Sequence, residues 1–223
     1  MTSISPLSRR SFLGGAAATG SALALDACGG DAAPVTANPD LPALNSLLAA
    51  EYNAIKAYTA GIAVLQMPPT GDPSAALGLP LATIATNWQI QHRDHAGQLA
   101  ATITSLGGTP ITEASITFTA PTGFTGTIHN VLVLACNAEL AAAIAYNEGV
   151  KSMATASARA LAANIEGTET QHFTVLYALL KQTAAPNLPN ILNVLTEIVP
   201  RSFVLNAGGM NNGLQSLADL PYA

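Results

Sequence analysis

The chain has 223 residues, of which 49% are hydrophobic and 9% are charged, and its formal net charge is −5 at pH 7. A mildly acidic chain with few basic residues offers no basic surface for nucleic acid, so we expect no nucleic-acid partner. Its two cysteines, Cys28 and Cys136, give no disulfide framework. Cys136 lies in an apolar helical segment, where we expect a small buried side chain rather than a reactive thiol.

Residues 1–27 are typical of an export signal. Arg9 and Arg10 stand in the run Ser-Arg-Arg-Ser-Phe-Leu, before an apolar stretch of alanine and glycine that ends at Leu25. That stretch is too short to stay in a membrane as a helix, and the pattern resembles a bacterial twin-arginine signal. Leu25-Asp-Ala-Cys28 resembles a lipoprotein cleavage box, with an unusual Asp at its second position. We therefore expect an exported, periplasmic or extracytoplasmic protein, anchored to the membrane through a lipid on Cys28.

Four long helical segments follow a flexible tether at 28–43, and together they form a predicted domain at 44–183. Apolar periodicity predicts helices over Leu41–Gln66, from near Pro80 to Ser105, over about 126–150 and over about 153–183. The connection 107–125 is expected to be long and irregular, with a short strand-like piece. At full stretch it reaches roughly 60 Å, so it can run the length of a bundle. We assign 184–223 to a C-terminal packing segment and tail, with a short helix over Leu188–Val199.

Each of the four helices carries acidic or histidine residues inside an otherwise apolar stripe. Glu169 and His172 stand three residues apart, so their side chains leave one face of the last helix together. A buried carboxylate costs several kcal/mol unless something compensates it. A metal ion beside carboxylates and imidazoles provides that compensation, and the chain supplies six candidate ligands: Glu51, His92, His95, Glu139, Glu169 and His172.

The two halves of the domain resemble each other. Aligning Glu51 with Glu139 also places Tyr58 opposite Tyr146, and aligning His95 with His172 sets His92 opposite Glu169. A duplicated helix pair packed about a pseudo-two-fold axis gives a four-helix bundle whose polar residues meet at the axis.

This arrangement resembles the ferritin-like di-metal carboxylate proteins, in which two helices each give one Glu and two others each give a Glu-x-x-His motif. The resemblance implies an all-α four-helix bundle with a long crossover between its second and third helices. By position, Glu51 and Glu139 match the lone glutamates, Glu169 and His172 match one motif, and His95 matches the histidine of the other. His92 stands where that family has a glutamate, so we expect either one ion or two joined by a single carboxylate bridge.

Four further residues are candidates for positions near the ligands. Glu166, one turn before Glu169, can supply an additional carboxylate oxygen. Tyr58 and Tyr146 lie two turns beyond Glu51 and Glu139 on the same helix faces, and their hydroxyls can hydrogen-bond to ligands across the bundle or lie near the metal. Metal-binding histidines need an acceptor for their second N–H, and Asp94 is a candidate for that role.

The resemblance implies iron or manganese as the metal, with zinc also suited to three carboxylates and three imidazoles. It implies chemistry with dioxygen or peroxide, as ferrous-iron oxidation, catalase-like dismutation or protective iron scavenging. Two alternatives remain open. The six residues can form a hydrogen-bonded network without a metal, and the protein can be a non-catalytic envelope or stress-protection protein built on the same bundle.

Overall fold

The computed structural model describes residues 37–183. The predicted export signal, Cys28, most of the tether and the predicted helix over Leu188–Val199 lie outside them. Four long helices are present: α1 (Leu41–Gln66), α2 (Gly78–Ser105), α3 (Ile128–Ser152) and α4 (Ala156–Thr183). Two short 3₁₀ turns, Ala75–Leu77 and Glu113–Ser115, interrupt the connections.

The predicted four-helix bundle with a long crossover is confirmed, and the differences are at the helix ends. α1 begins at Leu41, so the last three residues assigned to the tether are helical. α2 begins at Gly78, two residues before Pro80, which occupies the first turn where proline is tolerated. In place of the expected strand-like piece, the crossover contains the 3₁₀ turn Glu113–Ser115, and residues 37–183 contain no strand.

The helices pack as two antiparallel pairs, an N-terminal hairpin of α1 and α2 and a C-terminal hairpin of α3 and α4. The crossover between them follows the outside of α1. Asn45 bonds to Thr109 and Ile111 near the start of α1, and the Lys56 ammonium donates to the Ile116 carbonyl at 2.6 Å further along. The crossover therefore returns the chain to the end of the bundle where α3 begins.

Two aspartates fix the ends of the C-terminal hairpin. Asp72 accepts the Ile128 N–H at 2.8 Å, which ties the start of α3 to the loop between α1 and α2. Asp40 accepts the N–H groups of Ala154 and Thr155, both at 2.7 Å, just before α4 begins. Unpaired N–H groups at a helix start are stabilised by a carboxylate in this way.

The apolar core is divided into two clusters. The upper cluster lies toward the α1–α2 loop, and the lower cluster lies toward the α3–α4 turn. The upper cluster includes Leu65, Leu81, Leu132, Phe173 and Leu176. The lower cluster includes Leu44, Leu48, Leu99, Ile103 and Ile165. The buried polar residues of all four helices lie between these clusters.

Among the described helices, α3 alone is long and apolar enough to cross a membrane by length and composition, and half of that apolar window is buried inside the bundle. It also carries the buried Glu139. These features are typical of a core helix in a bundle.

Candidate metal centre

All six predicted ligands converge at the middle of the bundle, where they are buried. The largest exposed fraction among them is 7%, at His95, and Glu169 is 0% exposed. They form two overlapping groups of four in which the candidate ligand atoms lie within 4.8 Å of one another. One group is Glu51, His92, His95 and Glu169, and the other is His92, Glu139, Glu169 and His172.

Glu169 faces both groups, with a different oxygen toward each. Its Oε1 lies 3.0 Å from His95 Nδ1, and His95 Nδ1 lies 3.6 Å from Glu51 Oε1. We call these three residues the Glu51 half. The Oε2 of Glu169 lies 3.8 Å from His172 Nδ1, and His172 Nδ1 lies 3.4 Å from Glu139 Oε2. We call Glu139, His172 and this oxygen the Glu139 half.

His92 lies between the two halves and contacts both through opposite edges of its ring. Its Nδ1 is 2.8 Å from Glu51 Oε2, and its Nε2 is 3.2 Å from Glu139 Oε1. Its position is that of a bridging side chain, but an imidazole carries no negative charge and presents one nitrogen to each side.

The unpaired atoms of the centre fit a cation. Neither oxygen of Glu169 accepts a hydrogen bond within residues 37–183, and His95 Nδ1 also lacks a hydrogen-bond partner there. The 3.0 Å approach of His95 Nδ1 to Glu169 Oε1 therefore does not have hydrogen-bond geometry. Two ligands at right angles, each about 2.1 Å from an ion, are about 3.0 Å apart, and at the tetrahedral angle they are about 3.4 Å apart. One distance in each half matches such a ligand edge: 3.0 Å from His95 Nδ1 to Glu169 Oε1, and 3.4 Å from His172 Nδ1 to Glu139 Oε2.

A search of family models matches residues 39–182 to a ferritin-like domain. The chain belongs to the ferritin-like domain family. No curated protein matches the chain. The ferritin-like fold and the two buried clusters together are compatible with metal binding in the bundle core.

The ionisation of this ferritin-like centre is strongly perturbed. Burial opposes the charge on Glu51 and Glu139, but hydrogen bonds and the charge of His92 hold the pKa of each below its ordinary value. Burial lowers the pKa of His92, but Glu139 and Glu51 outweigh it and raise the pKa to about 10. Burial and the neighbouring Glu139 carboxylate raise the pKa of Glu169 well above its ordinary value. Glu169 is thus the residue that most needs a proton or a metal ion.

The two tyrosines contact the centre in a crossed pattern. Tyr58 on α1 donates its hydroxyl to Glu139 on α3, and Tyr146 on α3 donates to Glu51 on α1. Burial, followed by the partner glutamate, raises the pKa of both phenols well above the ordinary value, so both remain protonated donors. Both hydroxyls therefore contact candidate ligands from the opposite hairpin.

Several other predicted positions lie outside the two groups. Glu166 is half-buried and belongs to neither of them. Asp94 is exposed. Cys136 is buried with a free thiol, and burial, with a smaller contribution from Glu139, raises its pKa to about 12.

Sequence reasoning missed Gln91. Its Oε1 lies 2.6 Å from His172 Nε2, so Gln91 has the acceptor role that was expected of Asp94. Trp88, one turn earlier on α2, packs against the same imidazole, with ring centroids 4.7 Å apart and an interplanar angle of 35°. Gln91 and Trp88 lie close before His92 in the sequence, but their contact with His172 becomes clear only once α4 is placed against this side of α2.

Proposed function

We propose that this protein binds one or two transition-metal ions, iron or manganese, in the centre of its bundle and uses them to react with peroxide or dioxygen. The observation that carries the proposal is Glu169, a fully buried carboxylate with two unpaired oxygens, each facing a histidine Nδ1 and a second glutamate. Zinc suits the same donor set, but it offers no redox change.

The donor set is less anionic than the family pattern implies. Three carboxylates can bring three negative charges, and the imidazole at position 92 brings none. With one divalent ion the net charge of the ionised set is negative, whereas with two it is positive. Even with all three carboxylates ionised, charge therefore favours binding of the first ion more than binding of a second.

The protein's own residues would bind, orient and isolate the metal, whose bound form supplies the redox change that carboxylates and imidazoles lack. Tyr58 and Tyr146 hold one oxygen of each terminal glutamate, which limits how those carboxylates can rotate. Apolar clusters above and below the centre keep bulk water away, so the charges act in a medium of low dielectric.

The proposal places this chemistry outside the cytoplasm. Its support is the twin-arginine pattern at Arg9 and Arg10 and the lipoprotein-type box that ends at Cys28. Twin-arginine systems pass folded proteins, which suits a chain loaded with its metal before export. A lipid on Cys28 would anchor the bundle through the segment 29–40.

The test is metal analysis of the full chain purified from its own compartment, followed by assays of peroxide dismutation and ferrous-iron oxidation. We expect one to two equivalents of iron or manganese, and loss of metal in Glu169→Ala. Glu148→Ala, which removes an exposed acid on α3, is the matched control and should keep full occupancy. A metal content near zero in the native protein would overturn the proposal. Full occupancy without either activity would overturn its catalytic part.

A second function is favoured by the hydrogen bonds that Glu51 and Glu139 already have. Each accepts from a tyrosine and contacts His92, so a large part of the centre is paired without a metal. A non-catalytic envelope protein that uses this bundle for binding or stress protection would have such a network. It predicts metal-free native protein whose stability to urea is unchanged by added iron or manganese.

A further inference from the structure

Three large apolar side chains are exposed at one end of the bundle. Met67, directly after α1, is 82% exposed, and Leu77 and Leu79, at the start of α2, are 45% and 68% exposed. They are three of the five large apolar side chains that are exposed within residues 37–183. Exposed apolar surface is therefore concentrated at this end, and we call these three residues the end patch.

A close approach of two helix ends brings the residues of the end patch together. Gly78, between Leu77 and Leu79, lies so near the Leu65 carbonyl oxygen that a Cβ would clash with it. Leu65 stands two residues before Met67, so the last turn of α1 contacts the first turn of α2. Leu65 also belongs to the upper cluster, and the end patch therefore lies beside the end of that cluster.

The chain leaves α4 at the same end of the bundle. α4 ends at Thr183, and Leu180, in its last turn, is buried in the upper cluster together with Leu65 and Leu81. Residues 184–223 therefore begin close to the end patch, whereas the N-terminal residues join the bundle at its opposite end, where α1 begins.

The helix predicted over Leu188–Val199 has one apolar face. Six of its apolar residues recur at helical spacing, whereas Asn193 and Glu197 fall on the opposite side. Pro189 suits a first helical turn, and Pro200 suits a stop directly after the helix. The apolar stripe consists of Leu188, Ile191, Leu192, Leu195, Ile198 and Val199.

We propose that the end patch is the docking surface for residues 188–199 of the same chain, whose apolar stripe packs against Met67, Leu77 and Leu79. The connection 184–187 spans roughly 17 Å when extended, and neighbouring helices lie about 10 Å apart, so it reaches the patch from the end of α4. A helix of this length is about 18 Å long, which is enough to cover the ends of α1 and α2. The proposal does not depend on metal binding.

Other occupants fit the end patch less well. A second copy of the chain would need about 20–30 residues on each side for a stable dimer, and the patch offers three side chains. The N-terminal segment 29–36 contains one large apolar residue, Val35, and would have to pass the whole of α1, about 39 Å. A membrane surface is disfavoured because the predicted lipid on Cys28 joins the bundle at the opposite end.

Cross-linking tests the contact in the full chain. Leu79→Cys is combined in turn with Ile191→Cys, Leu195→Cys or Ile198→Cys, in a Cys28→Ser background, and each protein is treated with a short bismaleimide. We expect at least one of the three pairs to cross-link rapidly within a single chain. Denaturing electrophoresis shows whether the product is a monomer, and mass spectrometry identifies the linked peptides.

The matched control moves the cysteine on α2 to the other end of that helix. Thr104→Cys, at an exposed position, is combined with the same three partners and should give no cross-link within the chain. Cys136 is buried, so its thiol should not compete for the reagent.

Oxidation of Met67 by chloramine-T measures how well the end patch is covered. In wild type we expect Met67 to react several-fold more slowly than free N-acetylmethionine amide. Leu195→Asp puts a charge on the apolar stripe and should raise the rate toward that of the free compound, whereas Asn193→Asp, on the polar side, should leave it unchanged. Met153, which is 3% exposed, should stay unreactive in all three proteins, which shows that the bundle is intact.

Each other outcome contradicts the proposal. Cross-links that form only between chains would assign the end patch to a second copy, and protection of Met67 that requires phosphatidylglycerol vesicles would assign it to a membrane. Equal cross-linking from Leu79→Cys and Thr104→Cys, or equal oxidation of Met67 in wild type and both aspartate variants, would show that residues 188–199 do not dock there. None of these results bears on metal binding, so the proposed function is tested separately.

Discussion

The hydroxyl of Tyr58 on α1 donates to Glu139 on α3, across 81 residues of sequence. Its counterpart in the other half of the repeat, Tyr146, donates to Glu51. A tyrosine of each hairpin thus donates a hydrogen bond to the glutamate of the other hairpin. The two units of the internal repeat are joined by this reciprocal pair of hydrogen bonds.

Replacing Tyr58 by Phe should destabilise the metal-free protein by about 1–2 kcal/mol, because a buried carboxylate loses a hydrogen-bond donor while the ring still fills its space. Tyr146→Phe should have a similar effect, and urea unfolding measures both. Tyr52→Phe, at a half-buried position on the outer side of α1, is the control. Equal stability of all four proteins would show that neither phenol supports the centre.

The stability of the metal-free protein should fall as pH rises. The pKa of His92 is raised from 6.5 to about 10 in the folded state, so folding takes up a proton. That stabilisation is complete below about pH 6.5 and is lost progressively toward pH 10. At about 1.4 kcal/mol per pKa unit, the loss should reach several kcal/mol in urea unfolding at pH 6, 8 and 10.

Two variants check the source of that pH dependence. His92→Gln should flatten it, and His129→Gln, at a half-buried position outside the centre, should retain it. Since an ion on His92 displaces a proton, metal affinity should rise with pH over the same range. Metal affinity that is independent of pH would argue against His92 as a ligand.

Glu169→Gln should stabilise the metal-free protein and abolish metal binding. Burial and Glu139 raise the pKa of Glu169, so ionising it near neutral pH works against folding, and a neutral amide of the same shape removes that cost. We expect a gain on the order of 1–3 kcal/mol in metal-free protein at pH 7. Thermal unfolding with and without Co²⁺ measures both effects, and a less stable metal-free variant would contradict the assignment of strain to this carboxylate.

The sequence was sufficient to predict the four helices and the six polar residues that meet between them. Periodicity assigns a residue to one face of a helix, and a lone acidic residue in an apolar stripe is recognisable as a candidate buried polar group. It was insufficient for contacts that depend on how one helix lies against another. The sequence predicted a hydrogen bond from Tyr58 to a ligand across the bundle, but the identity of that ligand, Glu139, follows from the position of α3 opposite α1. Gln91 was overlooked for the same reason, since its partner is on α4.

Asp40→Ala should lower stability by about 1–2 kcal/mol, because the N–H groups of Ala154 and Thr155 lose their acceptor. Burial raises the pKa of Asp40, but hydrogen bonds from Thr155 and Ala154 outweigh it and lower the pKa below its ordinary value. The melting temperature should therefore fall while the Co²⁺ stoichiometry stays the same. Asp94→Ala, at an exposed position on α2, is the control, and an equal effect of both would exclude a capping role.

Substitution by alanine should have opposite effects on stability at three helical glycines. A Cβ at Gly78 would lie 2.2 Å from the Leu65 carbonyl oxygen, so Gly78→Ala must displace the start of α2 and should destabilise the fold. A Cβ at Gly97 or Gly167 meets nothing within 4 Å, so alanine there should stabilise it by about 0.5–1 kcal/mol. Chemical denaturation of the three variants decides whether this close approach holds in solution.

Each group of four candidate ligands draws on both hairpins. A cation at the centre would therefore stabilise the packing of the two hairpins against each other, and neither hairpin alone contains a full group of four ligands. Loading and unfolding are then linked events: the empty protein is the one whose hairpins part most readily, and retention of the ion becomes a measure of how tightly they remain docked.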